Sequence, residues 1–384
     1  MTVKYGGFIM KTARGSNYEL MRIISMFMIV CWHVFLYGSN IGSSGENIMT
    51  IYYLLRAIMV VHVNSFVLVS GYFQCKSKFK MSKLLSLNNS VWFYKVVILI
   101  GAIILGERVT KITIIRNVFP LDLENYWFIK IYLMLYILSP YLNKLIENIS
   151  KKEHKRLVLI LFFMFSVVST VTGQEALEGT TNFGYSLANF VFLYLLGAYF
   201  RNYPVKDTYF GKRFSPSLQK LLLFCGFLTL ALINFSFHIV SLRLLNGGSV
   251  SKYVGNIINI SFAQYDNPLV IIQSVMYFLF FGYLSFNSKI INKISTTTFG
   301  IYLIHENLFL RYNMYKVLKF PAVVTSKTIF IRVFIVSLII FVVCSLIEYI
   351  RQIIFKKIYN MKISCKFRKK YRLYLENLGF KITW

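Results

Sequence analysis

Carboxylates are the scarce side chains here: 14 Asp and Glu stand against 43 Lys and Arg in 384 residues, and the formal net charge is +29. Charged residues of both signs make up only 15% of the chain. A soluble domain needs more polar surface than that, because its outside must meet water. Cysteine is sparse as well. Cys31, Cys75, Cys225, Cys344 and Cys365 form no CxxC pair and no Cys/His metal spacing. This points away from a disulfide framework, so the five are read as free thiols and no metal ligand set is expected. No G-x-S-x-G elbow occurs, which removes the usual signal for a serine acyl-enzyme. Internal repeats and low-complexity tracts are missing. A signal-peptide core is also missing: the first apolar segment, about Tyr18 to Gly38, is too long for one and no small-residue cleavage site follows it.

Apolar residues are what the chain has in abundance, at 57%, with a mean hydropathy of +0.59. They gather in runs of roughly 20 residues, the length that crosses about 30 Å of hydrocarbon. The expected fold is all-α, a polytopic membrane protein of about ten transmembrane helices. These lie near 18–38, 50–73, 84–105, 125–143, 157–173, 183–200, 219–240, 267–286, 297–315 and 326–350. With the N-terminus inside, the inner segments hold 29 Lys and Arg and the outer segments 8. That asymmetry puts both termini in the cytoplasm of a multi-pass cell (plasma) membrane protein. It also explains the basic balance without nucleic acid, since the charge sits in short loops rather than on one face. One membrane domain, 1–350, and a basic cytoplasmic tail, 351–384, account for the whole length. The outer loop 241–266 is the longest outside segment, and the tail suits either the anionic inner leaflet or open solvent.

Ionisable groups inside apolar helices are costly and therefore mark candidate function. The first span holds Glu19, Arg22 and His33. His33 follows Arg22 by eleven residues, about three helical turns, so both share one face and stand roughly 16 Å apart along the axis. An imidazole suits proton abstraction from a hydroxyl. A guanidinium at the inner mouth suits the phosphate oxygens of a long cytoplasmic donor such as coenzyme A. The same residues also fit a structural role, as an i,i+3 ion pair and a helix–helix hydrogen bond.

The stretch Asn17-Tyr18-Glu19-Leu20-Met21-Arg22 through Cys31-Trp32-His33 resembles the start of the acyltransferase-3 family of membrane O-acyltransferases, in which an arginine, ten residues and a histidine mark the first span. Phe66-Val67-Leu68-Val69-Ser70-Gly71-Tyr72 is similar to that family's F-x-x-x-SGY segment. Trp127-Phe128 followed by Ser139-Pro140-Tyr141-Leu142 is similar to its WF and SP-x-L pair. Phe299-Gly300-Ile301-Tyr302-Leu303-Ile304-His305 is similar to its FGIYLIH signature. The resemblance covers roughly 17–350. It implies transfer of an acyl group, usually acetyl, from cytoplasmic acyl-CoA (acetyl-CoA) as donor substrate, with no permanently bound cofactor. The implied acceptors are hydroxyls of envelope or capsular glycans, with polysaccharide-assembly proteins as possible partners. In that reading His33 is the general base or the site of transient acyl transfer, Arg22 positions donor phosphates and Glu19 orients Arg22.

Five further residues are expected to bind substrate. Arg56 suits donor phosphate or a pairing with a carboxylate such as Glu19. Trp127 suits an interfacial aromatic belt or the wall of an acyl channel. Tyr302, His305 and Glu306 occupy neighbouring turns of the ninth span, with Tyr302 and Glu306 on one face, placed to orient His33 or the acceptor. His62, six residues after Arg56, reads as structural. A glycan or acyl-group transporter without transferase chemistry is the alternative, although no paired Gly/Pro-broken helices suggest inverted repeats.

Overall fold

The computed structural model describes residues 2–5, 8–11, 15–38, 46–119, 126–172, 182–245, 247–262, 264–317 and 328–359. A short antiparallel hairpin, β1 (Thr2–Tyr5) and β2 (Phe8–Lys11), comes first, and helices follow. In order these are α1 (Asn17–Gly38), α2 (Glu46–Met59), α3 (His62–Gln74), α4 (Met81–Ile104), α5 (Lys111–Val118), α6 (Trp127–Asn148), α7 (Lys151–Phe162), α8 (Ser169–Val171) and α9 (Leu187–Asn202). Then come α10 (Tyr209–Arg213), α11 (Pro216–Leu245), α12 (Ser249–Phe262), α13 (Pro268–Gly282), α14 (Lys289–Ser295), α15 (Thr298–His305), α16 (Leu308–Val317) and α17 (Ile329–Tyr359). A π turn at Phe163–Val168 joins α7 to α8.

Local chemistry sets several of these boundaries. Ser150 and Glu153 form a reciprocal capping box at the start of α7. Asn267 caps α13, with Pro268 in the first turn, where a missing N–H costs nothing.

Among the described residues, six helical segments are long and apolar enough to cross a membrane: Asn17–Gly38, Ile48–Gln74, Met81–Ile104, Lys151–Val171, Pro216–Leu245 and Ile329–Ile358. The other four expected spans coincide with α6, α9, α13 and the pair α15–α16, which are shorter or more polar. Packing explains part of this. In α9, residues Phe192–Ala198 are all buried, so that helix meets protein rather than a full thickness of lipid. By contrast α17 shows one apolar face outward, with Ile335, Leu338, Val342, Leu346 and Ile350 about half exposed. Exposed apolar surface on that scale belongs against hydrocarbon.

Two expected helices are interrupted. The segment 50–73 bends at Val60–Val61, where the Ser65 hydroxyl donates to Val61 O at 2.7 Å and competes for the ladder. The segment 297–315 stops at His305 and restarts at Leu308. Asn307 makes that break, because its side-chain oxygen accepts from Phe309 N at 3.1 Å and opens a new helix. The presumed outer loop 241–266 is largely helical, since α12 folds back along α11. α17 runs past 350 to Tyr359, so the expected tail begins as helix; 360–384 lie outside the described residues.

The tightest crossing is between α3 and α9. A Cβ on Gly71 would meet the Tyr194 backbone, and one on Gly197 would meet the backbone of Leu68. Small residues let two backbones approach this closely inside a membrane. We expect Gly197→Val to lower stability by about 3 kcal/mol or more, because the obstruction is backbone and cannot swing away. Gly101→Ala, where a Cβ meets nothing within 4 Å, is expected to be neutral. Unfolding midpoints of the purified variants check both.

Candidate active site

One stripe of α1 lines a cavity of about 580 Å³: Arg22, Met26, Ile29, His33 and Tyr37 all face it. Their spacing of three or four residues is that of a single helical face. The opposite walls come from His62 and Phe66 on α3, Trp127 and Phe128 on α6, and Tyr302 with Glu306 near the α15–α16 break. A second cavity of about 1290 Å³ is lined by Glu19, Arg22, Tyr72, Lys76, Arg201 and Lys206 among others. Arg22 belongs to both walls and so stands between the two spaces.

His33 sits at the centre of a polar cluster. The break after His305 turns both His305 and Glu306 toward it. His33 Nδ1 is 3.0 Å from His305 Nε2 and 2.9 Å from Glu306 Oε2. The tautomers follow from the partners. His305 Nδ1 lies 2.6 Å from the carbonyl of Ile301, which can only accept, so Nδ1 carries the His305 proton and its Nε2 is a lone pair. His33 must then donate from Nδ1 to that lone pair, with Glu306 Oε2 beside the same nitrogen at ion-pair distance. Its Nε2 is left with a free lone pair, the form a general base requires.

Glu306 is itself held. Its Oε1 accepts from Arg311 Nη1 at 2.9 Å and from Tyr37 Oη at 3.2 Å. Arg311 Nη1 also donates to Tyr37 Oη at 3.2 Å, and its guanidinium lies 4.4 Å from the Tyr37 ring centre. The carboxylate is therefore compensated by a full positive charge, which makes its burial tolerable.

At the other end Glu19 and Arg22 pair at 2.7 Å, with Glu19 buried. The expectation that Glu19 orients Arg22 matches this contact. Arg56 is different: its guanidinium stacks over the Trp32 ring at 5.4 Å, and it is not among the residues lining the cavity. Trp127 lines the cavity and packs on Tyr185 and Tyr265, so it is part of the wall. Tyr302 also lines it, and its hydroxyl has no hydrogen-bond partner among the described residues. His62, read as structural from the sequence, is a cavity residue set edge-on to Tyr265.

Sequence reasoning missed Tyr37 and Arg311. Tyr37 is one turn beyond His33 on the same stripe, a spacing that pointed to it. Arg311 reads in sequence as an ordinary outer charge, and nothing local tied it to Glu306. A group that could hold a metal ion was also not visible in the sequence: His33, His305 and Glu306 bring donor atoms within 4.8 Å of one another. Two of the three lie 272 residues apart, so no sequence spacing reveals them.

The family model described as an acyltransferase domain matches residues 16–349, which include every wall of both cavities named above. No curated protein matches the chain. No solved structure matches it either. On the length of that match, the chain belongs to the acyltransferase-3 family of membrane acyltransferases.

Proposed function

We propose that this chain is a plasma-membrane O-acyltransferase. It moves an acyl group, acetyl in the simplest case, from cytoplasmic acyl-coenzyme A to a hydroxyl of an envelope or capsular polysaccharide. The observation that carries the reading is His33, held by Glu306 and His305 through Nδ1 on the wall of a cavity that shares Arg22 with a second, arginine-lined space.

The chemistry follows from that arrangement. Arg22, Arg201, Lys76 and Lys206 offer the charge that phosphate oxygens need at the entrance. The thioester reaches His33 along the α1 stripe. His33 Nε2 takes the proton of the acceptor hydroxyl as its oxygen bonds to the carbonyl carbon. Collapse of the tetrahedral intermediate breaks the C–S bond, and the proton passes from Nε2 to the departing sulfur. Glu306 stabilises the imidazolium that forms between these events, as the carboxylate does in hydrolytic triads. Tyr302, with its unpartnered hydroxyl, is a donor for the oxyanion. Apolar walls such as Phe66, Phe128 and Trp127 keep water from the thioester.

Several outcomes check this. Protein purified in detergent should release free coenzyme A from acetyl-CoA only when a glycan acceptor is present; a pure transporter would release none. His33→Ala should lower that rate about 10²- to 10⁴-fold at normal expression. Full envelope acetylation in cells carrying this variant would remove the mechanism. Glu306→Gln should lower kcat at least about tenfold with a smaller change in KM, because the tautomer and orientation of His33 suffer while donor binding does not. Arg22→Ala should act in the opposite sense, raising the KM for acyl-CoA more than it lowers kcat.

The 29 to 8 charge asymmetry supports an orientation with both termini in the cytoplasm. In a cysteine-free background, a cysteine placed at Lys252 should react with an impermeant maleimide in intact cells. One placed at Lys206 should react only after permeabilisation.

A further inference from the structure

His33, His305 and Glu306, besides serving proton transfer, present the donor types of a metal site. Their donor atoms, His33 Nδ1, His305 Nε2 and Glu306 Oε2, all lie within 4.8 Å of one another. Two imidazoles and one carboxylate are the donor types of an open, three-ligand zinc centre, with a fourth position for a small oxygen ligand. Zinc bonds of about 2.0–2.2 Å in tetrahedral array separate neighbouring donors by roughly 3.3 Å. The separations from His33 Nδ1 are 3.0 and 2.9 Å and all three donors lie within 4.8 Å of one another, so side-chain rotations bring them to an ion's bonding distances.

The outer contacts fit as well. A ligating histidine usually gives its other N–H to a carbonyl, and His305 does so through Nδ1 to Ile301 O at 2.6 Å. A ligating carboxylate is usually held through its remaining oxygen, and Tyr37 and Arg311 hold Oε1 of Glu306. The Arg311 charge beside that carboxylate makes the site weaker than a structural zinc centre. It therefore suits a reversible ion.

We infer that this cluster is also a binding site for a divalent transition-metal ion of the zinc class, and that filling it switches the transferase off. The switch is a change of tautomer. A metal on His33 Nδ1 needs the lone pair there, so the imidazole proton moves to Nε2. The atom that accepts the hydroxyl proton in the free protein then carries a proton of its own. No net proton is released, because His305 keeps its proton on Nδ1 and Glu306 is already a carboxylate. The loss of activity rests on the transferase reading; the binding does not.

The test uses the full chain purified in detergent, stripped with chelator and titrated with zinc sulfate alone by equilibrium dialysis. One zinc per chain is expected. Cobalt(II) in its place should give the visible absorption of a tetrahedral site. His305→Gln should weaken zinc binding tenfold or more. His33→Ala, at a less buried position, should do the same and covers the case in which the first variant fails to fold. Tyr37→Phe, which frees one contact to Glu306, should weaken it less. Acyl transfer by the wild type should fall as zinc fills the site and return on adding chelator. Equal zinc affinity in the wild type and both histidine variants would overturn the inference, as would turnover that rises with zinc. If the stripped protein has no transferase activity at all, the function proposed above fails, while the binding isotherms still decide the metal site.

Discussion

A carboxylate buried inside a membrane domain is the constraint on which the site depends. Glu306 is 6% exposed, and an unpaired charge there would cost several kcal/mol. Its compensation comes from three directions: Arg311 from the next helix, Tyr37 from α1 and His33 from the same stripe of α1. Each contact requires the chain to turn between α15 and α16. A continuous helix over 298–317 would carry Arg311 around the axis by five residues, well over one turn from Glu306. The Asn307 cap makes the turn, and Tyr126 anchors it by accepting from Asn307 Nδ2 at 3.1 Å and donating to Leu303 O at 2.9 Å.

Rigidity around this turn has a functional meaning. The general base proposed above needs one tautomer and one orientation; at His33 the hydrogen bond to His305 sets the first, and the Glu306 carboxylate flanks the same nitrogen. The same second layer of contacts is what a metal centre requires. A proton-transfer site and an ion site thus share one construction, and they differ only in which nitrogen of His33 holds the proton.

The first helix was the most legible part of the chain. Glu19, Arg22 and His33 announce themselves because charge and imidazole are rare in apolar runs, and a spacing of eleven puts the last two on one face without tertiary information. Tyr302, His305 and Glu306 were legible as a group through motif and helical spacing. Arg56 is as conspicuous in charge as Arg22, and only the tertiary structure shows its guanidinium over the Trp32 ring. A side chain on a helix commits to a neighbour only when another helix arrives. Arg311 failed in the other direction, because a charge near a span end resembles every other loop charge until Glu306 lies beside it. The two interruptions, at 60–61 and 306–307, were hidden by hydropathy, which averages over windows longer than a bend.

Composition and periodicity alone determined that this is a helical membrane protein built on long apolar segments. Those properties follow from transfer free energies and backbone satisfaction, which act residue by residue. The short motifs carried the family. Only the tertiary structure decided that His33 meets His305 and Glu306 through one nitrogen, that Arg22 joins two cavities, and that some apolar helices are sheathed by protein. Those facts depend on distances between segments as far apart in sequence as His33 and Glu306, and such distances are set by packing, which no local pattern encodes.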